Sequence, residues 1–179
     1  MTKSAVPLTL EISRLRKGYP CLSPSSGTRL AQAAAVCLER QLHAKSVVLK
    51  VQGDWQVAFT LKWQRITDQM RREWGDPIEA TENGACAIAI LLVDALTDYH
   101  IVHRAYRTTG IDYWLCNEGD SFLTIAARLE VSGIARGLDR LESRVRAKLK
   151  QTTQSDGSGL PAFVVVVEFD QPVAAMRRK

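Results

Sequence analysis

Zinc-binding residue types are scarce in this chain. It has three histidines and four cysteines (Cys21, Cys37, Cys86, Cys116) in 179 residues, with no Cys-x-x-Cys pair and no histidine at zinc-site spacing. Scattered cysteines of this kind are expected to be reduced thiols of a cytoplasmic protein, with Cys86 and Cys116 serving as small buried apolar residues. His100 and His103 are three apart, which on a strand points them to opposite faces and makes a poor chelating pair. Long apolar runs are also missing. The longest, Ala85 to Val93, is far too short to cross a bilayer, so no membrane partner is expected. The first residues, Met1 to Pro7, lack the apolar stretch of a secretory signal. There is no Gly-rich phosphate loop, no G-x-S-x-G and no Cys/His dyad signature, which leaves nucleotide hydrolases and acyl-transfer enzymes unsupported. No internal repeat or low-complexity tract is present.

What remains is an ordinary globular composition, 46% hydrophobic and 24% charged, with enough chain for a substantial core. The net charge of +5 is unevenly spread. Residues 1–75 carry 12 Lys/Arg against 5 Asp/Glu, or +7, and residues 76–179 carry 12 against 14, or −2. A basic front half suits attraction of a polyanion, and nucleic acid is the expected partner. Arg71 and Arg72 are candidate phosphate contacts in that half. Trp55, Trp63, Trp74 and Trp114 could stack on bases, although three lie in or beside apolar runs, where packing is the simpler reading.

Periodicity orders the chain. Leu8–Ile12 alternates as a short strand, Arg14–Gly27 reads as a loop, and Thr28 opens a helix to about His43. Ser46–Val51 and Gln56–Trp63 predict a hairpin, followed by a short helix over Arg65–Trp74. The clearest boundary is Asp76-Pro77-Ile78-Glu79: a cap residue, a proline at the first helical position and an acid at the third. It divides a basic extension, 1–75, from a second unit, 76–179. The helix it starts runs to about Asp98, with Ile78, Glu82, Ala85, Ala89, Leu92 and Leu96 on one stripe. Strands are predicted over His100–Arg107, Ile111–Cys116 and Ile125–Ser132, then a basic helix from Asp139 to about Gln151. The valine-rich run Phe163–Phe169 predicts a strand buried on both faces, and the tail from Met176 to Lys179 is expected to fray. The fold class is therefore α/β with a mixed sheet.

Two acids interrupt the apolar runs. Asp112 lies in Gly110-Ile111-Asp112-Tyr113-Trp114-Leu115, and Glu130 in Ala127-Arg128-Leu129-Glu130-Val131-Ser132-Gly133. A carboxylate on a strand is costly to bury without a partner. On neighbouring strands the two would face one space, where a pair of carboxylates suits Mg²⁺ or Mn²⁺. The alternative is two rim acids, one of them paired with Arg104 or Arg128.

The order helix, three strands, helix, strand from residue 76 to about 170, with an acid in the second strand and Glu-x-polar in the third, resembles the PD-(D/E)XK phosphodiesterase superfamily, the restriction-endonuclease-like fold. The resemblance implies an αβββαβ core with an N-terminal α/β extension. It implies a metal-dependent nuclease, with Asp112, Glu130 and the Val131 carbonyl as metal ligands. Glu82 resembles the extra helical acid of several branches. The motif lysine falls on Ser132, a departure that removes the expected cation. Arg140, Arg144 and Lys148, spaced i, i+4, i+8 on the following helix, could replace it. Other expectations are a nuclease module of a bacterial defence or DNA-processing complex acting with a partner subunit or as a homodimer, or an inactive relative that binds nucleic acid or serves assembly.

Overall fold

The computed structural model describes residues 8–121 and 123–179; the N-terminal segment read above as lacking an apolar leader lies outside them. One mixed sheet of eight strands runs through the molecule. Its strands are β1 (Leu8–Glu11), β2 (Ser46–Gly53), β3 (Val57–Lys62), β4 (Tyr99–Arg104), β5 (Tyr113–Asn117), β6 (Ala127–Ile134), β7 (Ala162–Glu168) and β8 (Val173–Arg178). The spatial order is β1-β3-β2-β8-β7-β6-β5-β4. Four α-helices are described: α1 (Pro24–Arg40), α2 (Asp68–Glu73), α3 (Pro77–Leu96) and α4 (Leu141–Gln151). No helix among the described residues is long and apolar enough to cross a membrane.

β7 is the centre of the sheet, and its valines divide the core. Phe163, Val165 and Val167 join the cluster built on α1 and α3, while Val164 and Val166 join Leu141 and Val145 of α4 on the opposite face. That two-sided burial is why the run reads as uninterrupted valine rather than as an alternation. α3 starts where its sequence places it, with the Asp76 carboxylate accepting from the N–H groups of Ile78 and Glu79. The stripe expected on it is displaced. Ile78 and Glu82 are exposed, and Ala80, Thr81, Gly84 and Ala85 turn inward. From Gly84 to Val93 the helix is buried all round, between α1 and the sheet, so apolar spacing alone could not set its phase. Gly84 allows the close approach: a Cβ there would lie 3.1 Å from the Ala34 Cα of α1.

Three other expectations are corrected. α1 begins a turn early, at Pro24, because Ser23 caps it and accepts from Ser26 N–H, and a 3-10 turn over Ile12–Lys17 occupies part of the expected loop. A bulge between Ile101 and His103 shifts the β4 register, so His100 and His103 stand opposite Cys116 and Trp114 and share a face. The C-terminal tail is not frayed: Val173 to Met176 are buried in β8, which pairs with β7 and, in parallel, with β2. Through β8 the two halves divided at residue 75 share one sheet and one hydrophobic cluster.

Candidate active site

The site forms where β5 stops short of β6. Only Tyr113, Trp114 and Leu115 of β5 pair with β6, opposite Leu129, Arg128 and Ala127, so from Glu130 to Ile134 β6 is paired with β7 on one side and with no strand on its β5 side. A cleft of about 1140 Å³ opens along this edge, between the start of α3 and the inner face of α4. Asp112 sits in the bend just before β5. Its backbone is held from both sides, N–H donating to Leu129 O at 2.8 Å and C=O accepting from Ala105 N–H at 2.9 Å. Gly110, two residues earlier, has φ +69°, and a Cβ there would lie 2.3 Å from the Gln151 carbonyl oxygen. Only glycine fits that approach, which lays the loop carrying Asp112 against the end of α4.

The side chains complete the arrangement. Asp112 Oδ2 accepts from Val131 N–H at 2.9 Å, and Oδ1 lies 3.7 Å from Arg104 Nη2. Arg104 is itself placed by Tyr113, donating to its hydroxyl at 2.6 Å and stacking over its ring. Glu130 points to the α4 face of the sheet, like its register partner Val164, and is 2% exposed. Its Oε1 accepts from Lys148 Nζ at 2.6 Å and from Gln151 Nε2 at 2.9 Å. Burial pushes the Glu130 carboxyl up to about 7, and the nearby Asp112 charge pushes the same way. Lys148 opposes both without cancelling them. Ser132 Oγ accepts from Arg144 at 3.1 Å.

Asp112, Glu130, Val131, Ser132, Glu82, Arg140, Arg144 and Lys148 therefore line one cleft, although they come from α3, β6, α4 with its N-terminal cap, and the loop before β5. Arg71 and Arg72 do not line it. They lie on α2, where Arg71 is engaged by Glu39 and Asp68. Arg128, two residues before Glu130 on β6, does not line the cleft and pairs with neither acid. It is 3% exposed and ties Asp156 and the Leu160 carbonyl to β6.

Sequence reasoning missed Gln151, which lies one turn beyond Lys148 on the same helical face and so was open to detection by spacing. It weighed Arg104 only as a structural partner, and it missed Arg107 and Arg136, which no local pattern brings to the cleft. Six cations against three acids line it, all six from residues 104–148. The local excess of positive charge thus belongs to the half of the chain whose net charge is negative. Comparison with protein-family models, with curated proteins and with solved structures returned no match.

Proposed function

We propose that the chain is a metal-dependent phosphodiesterase acting on nucleic acid, and that residues 76–170 are a PD-(D/E)XK core whose lysine has moved from β6 to α4. The observation that carries this reading is Lys148 Nζ at 2.6 Å from Glu130, in a cleft that also holds Asp112. Ser132 occupies the motif position without a charge, and the helix beside it supplies one.

The donor set fits Mg²⁺ or Mn²⁺. Two carboxylates held close enough to raise the proton affinity of one of them form a site that a divalent cation relieves, and hard oxygen donors suit these ions. The Val131 N–H faces Asp112, and strand alternation turns the Val131 carbonyl to the same open edge. Asp112, Glu130 and that carbonyl would hold the ion, which when bound polarises a phosphodiester oxygen and lowers the pKa of a water. Lys148 places positive charge where negative charge develops as the water oxygen bonds to phosphorus and the ester bond breaks. Gln151 holds the Glu130 carboxylate toward Lys148, and Arg144, anchored on Ser132, offers a second cation to the phosphate backbone.

The test is cleavage of labelled DNA and RNA by the purified chain with Mg²⁺ or Mn²⁺, against an EDTA control. Asp112→Asn and Glu130→Gln are each expected to lower the rate about a hundredfold or more while leaving the far-UV spectrum native. Cleavage unchanged by both variants would defeat the reading. A second reading, binding without hydrolysis, draws on the small donor set: no group of three His, Cys, Asp or Glu side chains that could hold a metal is found among the described residues. Nucleic-acid binding without cleavage under either metal, and without metal binding in calorimetry, would establish it.

A further inference from the structure

The cleft of the proposed phosphodiesterase has a direction, and the direction points to the form of its substrate. We propose that it takes a single nucleic-acid strand laid along α4, with phosphates on Arg140 and Arg144, the reacting phosphate at Lys148, and a base stacked on Tyr106. This deepens the phosphodiesterase reading and rests on it.

Arg140, Arg144 and Lys148 recur every four residues, from the N-terminal cap of α4 along its cleft-facing side, so they rise about 6 Å apart. Neighbouring phosphates of an extended strand repeat at a similar interval, so one cation meets each phosphate. All three are already held in place, Arg140 by the Arg136 carbonyl, Arg144 by Ser132 and Lys148 by Glu130, which reduces the ordering cost of binding.

Beyond the Lys148 end an exposed aromatic side chain stands beside the cations Arg104 and Arg107. Tyr106 is 82% exposed and lies between Ala105 and Arg107, both of which line the cleft. The turn that carries it is tight, its carbonyl accepting from both the N–H and the hydroxyl of Thr109. That turn packs on residues 152–158, directly after α4, so Tyr106 lies past the Lys148–Gln151 end of the cation row. A duplex presents phosphates outward and hides its base faces, and so could use the cations but not the tyrosine. A single strand uses both.

The test measures binding of the full chain in EDTA, where cleavage is suppressed, by fluorescence anisotropy. The probes are a short mixed-sequence strand, as DNA and as RNA, and the corresponding duplexes. Tighter binding of the single strand than of its duplex is expected. Tyr106→Ala should weaken single-strand binding about 5- to 100-fold and leave duplex binding unchanged, and Tyr106→Phe should restore it. Arg140→Ala should weaken both forms and reduce the salt slope by about one. Duplex binding as tight as single-strand binding, or a Tyr106→Ala chain with native single-strand affinity, would overturn the inference. Metal-dependent cleavage that persists alongside either result would leave the phosphodiesterase reading standing. Tyr106-dependent single-strand binding without cleavage would support the strand track and overturn hydrolysis instead.

Discussion

At the residue scale, the proposed phosphodiesterase reading turns on which cation would serve the reacting phosphate. Ser132 and Lys148 come from different elements but meet the same cleft floor, one through Arg144 and the other through Glu130. If Lys148 does the work of the motif lysine, Lys148→Ala should lower cleavage about a hundredfold or more. Ser132→Lys should add little to the native chain and should recover part of the activity in the Lys148→Ala background. Single-turnover rates for the four forms decide this, and a native rate for Lys148→Ala would reject it. Glu130 supplies an independent check on the geometry. Its proton is held more tightly folded than unfolded, so folding stability is lost as pH rises from the ordinary carboxylate range through about 7. Glu130→Gln removes that titration. In EDTA its melting temperature relative to the native chain should rise between pH 5 and pH 8, and a difference independent of pH would show that the carboxyl is not held as described.

At the scale of elements, α3 and α4 flank β6 on opposite faces and must both be held close for the cleft to exist. Gly133 sets one of these distances: a Cβ there would lie 2.5 Å from the Thr81 carbonyl oxygen, so side chain and helix backbone would collide. Gly133→Ala should therefore destabilise by about 1–3 kcal/mol, seen as a melting temperature several degrees lower. An unchanged melting temperature would mean that α3 moves away freely. Removing the cap at the start of the same helix is milder. Asp76→Ala loses the acceptor for two N–H groups and should cost about 1 kcal/mol. The start of α3 and the strand runs were legible in local sequence, because caps and alternation act within a few residues, whereas α1 starts at Pro24, a turn before the expected Thr28. The phase of α3 was not, since a helix buried on every side has no polar face to mark its orientation.

For the whole molecule, β8 decides the architecture. It lies between β2 and β7 and thereby joins the front half of the chain to the back. Thermal unfolding should give one transition, coincident by tryptophan fluorescence and far-UV circular dichroism, because among the described residues no core is confined to 8–75. Two separated transitions would show that the halves fold alone. Charge follows the same lesson. Arg71 is held by Glu39 and Asp68 on the surface, away from the cleft, so Arg71→Ala should leave nucleic-acid affinity within about twofold, whereas Arg140→Ala should weaken it in the anisotropy assay.

The sequence by itself determined what short range can determine: the Asp76 cap and Pro77 start of α3, the central valine strand, the hairpin of β2 and β3, and the two acids that interrupt apolar runs. It also offered Arg140, Arg144 and Lys148 together as replacements for the lysine that the resemblance would place at Ser132. The tertiary structure decided which of these residues meet. Asp112 and Glu130 approach because β5 begins only at Tyr113 and Gly110 admits the Gln151 carbonyl, a contact between residues 41 apart in sequence. Lys148 reaches Glu130 because α4 packs on the face of β6 and β7 that carries Glu130 and Val164. Met176 is buried rather than frayed because two distant strands supply hydrogen bonds to either side of β8. Local pattern carries periodicity and capping, but the pairing of remote segments depends on shape and burial that arise only when the sheet closes around its core.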